Sequence, residues 1–136
     1  MTDKELFYLA IDAMKNSYSP YSDCKVGAAL LCENGKVFTG TNIENAAFGP
    51  TVCAERVAIF KAVSEGEKEF SKIAVVGGKN LHFKDYFAPC GVCRQVMREF
   101  CDDSFVILLG KNSDEYKSFT LSELLPLSFS KSNISE

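Results

Sequence analysis

The sequence predicts a three-layer α/β/α domain built on a mixed sheet, and three observations carry that expectation. Val26 to Cys32, Ile73 to Gly78 and Phe105 to Gly110 are apolar almost throughout, and strands of that kind are covered on both faces by helices. The predicted elements run helix, hairpin, helix, strand, helix, strand, with no internal repeat and no low-complexity linker. The length of 136 residues and the 46% hydrophobic content suit one domain over residues 1–136 with a single core.

The first element is a helix. Thr2-Asp3-Lys4-Glu5 has the Thr-x-x-Glu form of a capping box, and Leu6, Leu9, Ala10, Ala13 and Met14 then mark one apolar face at helical spacing. Asn16 to Ser22 is rich in Ser and Tyr, and Pro20 stops any helix there. Val26 to Cys32 and Lys36 to Ile43 flank Asn34-Gly35, a pair that tolerates positive φ, so the segment reads as a β-hairpin. Glu44 to Pro50 is a loop. Thr51 is the expected cap of a second helix reaching about Ser64 and closed by Gly66, with Val52, Ala54, Val57, Ala58 and Val63 on its buried side. Ile73 to Gly78 is a buried strand and Lys79 to Ala88 a polar and aromatic loop. A third helix opens at Pro89 and Cys90 and ends near Cys101. Phe105 to Gly110 is a further strand. Thr120 and Glu123 repeat the capping-box pattern before a short helix, Leu121 to Leu125, and residues 129–136 read as a surface tail.

Composition excludes several classes. The net charge of −3 and the lack of a basic block argue against a partner such as duplex nucleic acid. No apolar run approaches the roughly 18 residues that span a bilayer. The start, Met1-Thr2-Asp3-Lys4-Glu5, lacks the basic-then-apolar layout of a signal peptide. Six cysteines without such a signal read as reduced thiols in a cytoplasmic protein, where metal binding or catalysis is the expected use.

Two stretches concentrate that chemistry: Cys53-Ala54-Glu55-Arg56 and Pro89-Cys90-Gly91-Val92-Cys93-Arg94. Cys90 and Cys93 lie one helical turn apart and can close on one metal ion, with Cys53 as a third thiolate. Three protein ligands leave a zinc shell incomplete, since a structural site closes with four. Glu55 is then a group that handles the proton of water at the vacant position. Both clusters fall at predicted helix N-termini, where exposed amides and the helix dipole favour thiolate. Three thiolates on Zn²⁺ carry a formal charge of −1, which Arg56 is placed to offset with a fork of donors that does not deprotonate. Arg94 reads as a solvated helix face. Cys24, Cys32 and Cys101 have no partner at ligand spacing and read as small buried apolar residues. His82 matches no ligand position. A Cys-x-Glu followed by Pro-Cys-x-x-Cys, with the Glu outside the metal shell, is the pattern of zinc deaminases.

Over nearly its whole length the chain resembles the small, homotetrameric, three-cysteine cytidine deaminases. The matching residues are Pro20-Tyr21-Ser22, Val26-Gly27-Ala28-Ala29-Leu30, Thr41-Asn42-Ile43-Glu44-Asn45-Ala46, both cysteine clusters with Gln95-Val96-Met97, and Leu124-Leu125-Pro126 with Phe129. The resemblance implies a cytidine deaminase-like fold with about five strands and a hydrolase acting on a cyclic amidine C–N bond in pyrimidine salvage. It implies that Cys53, Cys90 and Cys93 bind Zn²⁺. By the same resemblance, Glu55 is expected to protonate N3, zinc hydroxide to attack C4, and Glu55 to pass a proton to the departing amine, so that cytidine or 2′-deoxycytidine becomes uridine or 2′-deoxyuridine plus ammonia. The resemblance also implies that Asn42 and Glu44 hold the ribose hydroxyls, that the Ala54 backbone meets the base carbonyl, and that Phe129 stacks on the base in a neighbouring subunit of a homotetramer. Without the resemblance, Asn42 and Glu44 read as polar residues capping a loop, although residues two apart at a strand end do project to one side. The chain departs from the family at Cys24, where a Phe walls the pyrimidine pocket, and at Phe48, where a Tyr is common.

Three alternatives compete. A blasticidin-type deaminase shares the zinc clusters, but Arg56 and the Asn42-x-Glu44 pair favour a nucleoside. A polynucleotide-editing deaminase needs more positive charge than this chain has. A structural zinc module needs a fourth protein ligand.

Overall fold

The computed structural model describes residues 1–79 and 83–135. The elements are α1 (Asp3–Ala13), β1 (Cys24–Cys32), β2 (Val37–Thr41), α2 (Ala54–Ser64), β3 (Phe70–Lys79), α3 (Gly91–Phe100), β4 (Val106–Gly110), β5 (Tyr116–Thr120) and α4 (Leu121–Leu124). The strands form one sheet in the order β2-β1-β3-β4-β5. β3 and β4 run parallel, and the other neighbours are antiparallel. The sheet is therefore mixed, as the sequence predicts. β5 is the strand not read from the sequence. Tyr116-Lys117-Ser118-Phe119-Thr120 is largely exposed and pairs with β4 alone, so no apolar run marks it.

The alternation of side chains explains why the central strands are apolar throughout. Ala28, Leu30, Ile73, Val75, Ile107 and Leu109 pack with α2 and α3 residues such as Ala58, Ile59, Cys93 and Met97. Their neighbours Ala29, Ala74, Val76 and Leu108 pack on the other side with Leu6, Phe7, Ala10 and Met14 of α1. Each strand thus buries both of its faces, the signature of a sheet between helix layers.

Local chemistry sets the element ends. Glu5 N donates to Thr2 Oγ1 at 3.1 Å and starts α1. The hairpin turns at Gly35 with φ of 91°, and Lys36 N donates to Asn34 Oδ1 at 3.1 Å. Both halves of the Thr120–Glu123 capping box are formed. Two expectations are corrected. Phe7, fully buried, takes the inward place on α1 expected of Leu9, which is 36% exposed. Thr51 does not cap α2. Its hydroxyl accepts from Asn45 N at 3.0 Å within the preceding loop, and Cys53 is the N-cap residue.

Gly40 of β2 positions the start of α2. A Cβ there would lie 2.4 Å from Ala54 O and 2.6 Å from Ala58 N, both backbone atoms that cannot swing aside. Gly40→Ala is therefore expected to destabilise the fold by at least the 1–3 kcal/mol typical of overpacking, about 2 kcal/mol or more. A thermal melt checks this, and the shift should come with weaker metal retention, because Cys53 moves with the helix.

Candidate active site

Cys53 and Cys90 are the N-cap residues of α2 and α3, and neither caps its helix through a side-chain hydrogen bond. Both sulfurs are thus left to face each other, and Cys93 joins them from the first turn of α3, fully buried. The Cys53 and Cys90 Sγ atoms are 3.7 Å apart, and those of Cys90 and Cys93 are 3.5 Å apart. Tetrahedral bonds of about 2.3 Å to zinc set sulfurs about 3.8 Å apart, whereas a disulfide holds them at about 2.05 Å. The donor set and its spacing fit zinc. Among the described residues no fourth His, Cys, Asp or Glu joins the cluster, so the arrangement is that of an open metal site. His82 lies outside the described residues.

Arg56 Nη2 donates to Cys53 Sγ at 3.6 Å. Its Nε is buried without a hydrogen-bond partner, so the contact to Cys53 is what places the guanidinium charge beside the sulfurs. The Cys53 thiol is pushed down to about 5, chiefly by the adjacent Cys93 and further by Arg56, against the effect of burial. Cys93 is pushed up as the partner that keeps the proton, with burial adding to it.

Glu55 is 3% exposed, an unusual place for a carboxylate without an ion-pair partner. Burial raises its carboxyl to about 7, the neighbouring Cys53 adds to the shift, and its own backbone amide and Arg56 oppose it. A carboxyl that titrates near neutrality is suited to taking up and returning a proton.

Glu55 lines a cavity of about 240 Å³ together with Cys53, Cys90, Ala54, Asn42 and Glu44. Ala54 opens α2, where a first-turn amide has no acceptor within its own helix. Asn42 Oδ1 accepts from Val26 N at 2.9 Å and from Ser17 Oγ at 2.5 Å, and its Nδ2 donates to Cys24 O at 2.8 Å. Glu44 Oε1 accepts from the amides of Tyr21 and Ser22 at 2.9 and 3.1 Å, and Oε2 accepts from the Ser22 hydroxyl. The Ser22 hydroxyl, chiefly, holds the Glu44 carboxyl below the usual carboxylate range. Both residues thus pin the loop before β1 and keep one edge on the cavity: Asn42 retains one N–H, and Glu44 Oε2 retains lone pairs.

Phe129 is 61% exposed and is not part of the lining of its own chain's cavity. Gln95 Nε2 of α3 donates to its carbonyl at 2.8 Å, which fixes where the segment leaves the surface. Phe48, also exposed, stands edge-on to Tyr21 with ring centroids 6.1 Å apart.

Two readings change. Arg94 is not a solvated face: Nε donates to Pro89 O at 2.7 Å and Nη1 to Leu124 O at 2.6 Å, so it staples the Cys90 turn to α4. Cys24 is not packed in the core but half-buried on the cavity wall. Cys32 is buried as expected, whereas Cys101 is only half-buried; burial pushes both thiols up, that of Cys101 to about 12. Ser22 and Phe87 also line the cavity. Phe87 stands three residues before Cys90, and that proximity is the signal by which the sequence could have flagged it.

Residues 1–109 match a family model described as the cytidine and deoxycytidylate deaminase zinc-binding region. A cytidine deaminase from Halalkalibacterium halodurans is 46% identical over 127 residues, covering 93% of each chain. A crystal structure of cytidine deaminase from Burkholderia pseudomallei matches with a TM-score of 0.86 and 42% identity, covering 95% of this chain and 100% of that one. A blasticidin-S deaminase from Bacillus cereus is more distant, at 36% over 117 residues and 82% of each chain. On its sequence, its mixed five-stranded sheet and its trio of cysteines, the chain belongs to the cytidine and deoxycytidylate deaminase family of zinc-binding proteins.

Proposed function

We propose that this protein hydrolyses cytidine and 2′-deoxycytidine to uridine and 2′-deoxyuridine with release of ammonia. The observation that carries the reading is the pairing of an open three-thiol cluster with a buried, non-ligand Glu55 on one cavity wall. Cys53, Cys90 and Cys93 would hold zinc, which when bound supplies the Lewis acidity that activates water. Glu55 takes one proton from the attacking water and gives it to N3 of the base, then takes the second from the hydroxyl that this water has become at C4 and delivers it to the departing amine, so that C4 is left as a carbonyl and the amine leaves as ammonia. Asn42 and Glu44 meet the ribose hydroxyls through the edges their loop contacts leave free, and the Ala54 amide meets the base carbonyl. Arg56 offsets the charge of the thiolates.

The lining also favours a nucleoside over a nucleotide. Among the described residues it contains no Lys or Arg, and its charged side chains apart from the thiols are the carboxylates Glu44 and Glu55. A 5′-phosphate there would meet the like charge of these carboxylates. We place the activity in a single deaminase domain spanning residues 1–136, in a homotetramer whose neighbouring subunits contribute Phe129, in the cytoplasm. No described helix is long and apolar enough to cross a membrane, and none of the cysteines is in a disulfide.

An absorbance assay over cytidine, 2′-deoxycytidine, cytosine, dCMP and blasticidin S tests the reading. The two nucleosides should be the preferred substrates. Preference for dCMP or for blasticidin S would overturn it. Removing residues from Phe129 onward should raise KM for cytidine by about tenfold, the scale of one lost base stack, with zinc content unchanged. Equal loss of both would mean that the truncation unfolds the chain.

A further inference from the structure

We propose that Phe87 is the aromatic wall on which the pyrimidine ring packs, a substrate-contacting residue supplied by the segment that leads into Cys90. The inference rests on the deaminase reading above and adds to it the group that recognises the flat face of the base within the same chain.

Phe87 is the one aromatic side chain among the described residues that line the cavity, and it is only half-buried. Its seat is made by β3 and β1. A Cβ on Gly77 would lie 2.7 Å from Phe87 Cδ2, 3.0 Å from Phe87 Cγ and 3.1 Å from Val26 Cγ2. The absence of a side chain at Gly77 therefore lets the ring rest directly on the strand backbone, flanked by Val26. Gly77 and Val26 are register partners in the sheet, so the ring is held by two strands rather than by its own loop. Cys24 precedes Val26 by two residues on β1 and projects to the same face. It too lines the cavity, and its small size leaves the space beside Phe87 open. The remaining apolar lining, Val52, Ala54 and Ala88, offers no plane of comparable area. A pyrimidine is flat and polarisable, and an aromatic face is the surface that suits it. Because Phe87 and Cys90 share one short segment, the wall and a metal ligand keep a fixed relation, and a base packed on the ring is held at a constant place relative to the thiol cluster.

The test is a steady-state comparison on purified protein carrying zinc. Phe87→Ala should raise KM for cytidine about tenfold or more, change kcat by a smaller factor, and leave zinc per chain near the parental value, with the protein still folded at the assay temperature. Phe87→Tyr should keep the parental KM. Cys24→Phe sets a second ring on the same face beside Phe87, so alone it should also raise KM. Combined with Phe87→Ala it should bring KM back toward the parental value, a non-additivity that marks two side chains competing for one place. Turnover by the parent with an unchanged KM in Phe87→Ala, or additive losses in the double variant, overturns the wall while leaving the deaminase reading intact. Absence of cytidine turnover by the parent overturns both.

Discussion

Replacing Glu55 with Gln is expected to lower kcat for cytidine by about 10²–10⁴-fold, the range that a positioned acid–base group supplies, with zinc content and KM little changed. The separation of effects follows from where the side chain sits. Glu55 is 3% exposed within the first turn of α2, and Gln fills the same volume, so the packing of Ala54 and Ala58 against the sheet is kept. Its carboxylate is not a member of the thiol cluster, so the metal should stay. What the amide cannot do is accept a proton from water and release it to the base. The carboxyl is suited to that exchange because burial brings it up to about 7, where neither form is strongly favoured. Single-turnover rates and metal analysis on the same sample check the prediction. Parental turnover in Glu55→Gln would mean that the proton moves by another route.

Each half of the candidate site was legible because its spacing is local: Cys53-x-Glu55 and Cys90-x-x-Cys93 each open a helix, although the start of α2 was expected at Thr51 and lies at Cys53. That the two halves meet, with Cys53 and Cys90 sulfurs 3.7 Å apart across 37 residues, is a tertiary contact that only the pattern of the two motifs together suggested. The central strands were legible for a related reason: Ala28 and Ala29, or Ile73 and Ala74, go to opposite helix layers, so both must be apolar. What depends on contacts between distant segments was hidden. β5 is a strand because it pairs with β4, not because its own residues demand it. Phe7 rather than Leu9 turns inward on α1 because Gly110 leaves room, a Cβ there falling 2.4 Å from Phe7 Cε1, and helical periodicity alone does not contain that fact. Asn42 offered two readings, loop cap or ribose contact. Its bonds to Ser17, Val26 and Cys24 supply the first without using all of its donors. Arg94 looked like a surface charge because its acceptors, the carbonyls of Pro89 and Leu124, carry no side-chain signature.

Removal of zinc by a chelator is expected to abolish turnover and to lower Tm by about 10 °C without unfolding the chain at room temperature. The cluster joins the starts of α2 and α3 through Cys53, Cys90 and the fully buried Cys93, so bound metal ties together two elements that otherwise meet only by packing. A ligand present at about 1,000 times its Kd stabilises the state that binds it by about 4 kcal/mol, and each kcal/mol shifts Tm by about 2–4 °C for a chain near this size. Complete unfolding, as in a small zinc finger, is not expected, because the sheet buries apolar side chains on both faces without help from the metal. Nor does the empty cluster strand an unpaired buried charge: the Cys53 thiolate has Arg56 Nη2 at 3.6 Å and Cys90 Sγ at 3.7 Å. Restoring zinc should return both Tm and turnover in the parent. In Cys93→Ser it should return neither, because the buried hydroxyl is a poor substitute for thiolate at a soft-ligand site. A chelated parent that keeps its Tm and its activity would show that the three sulfurs meet for a reason other than metal.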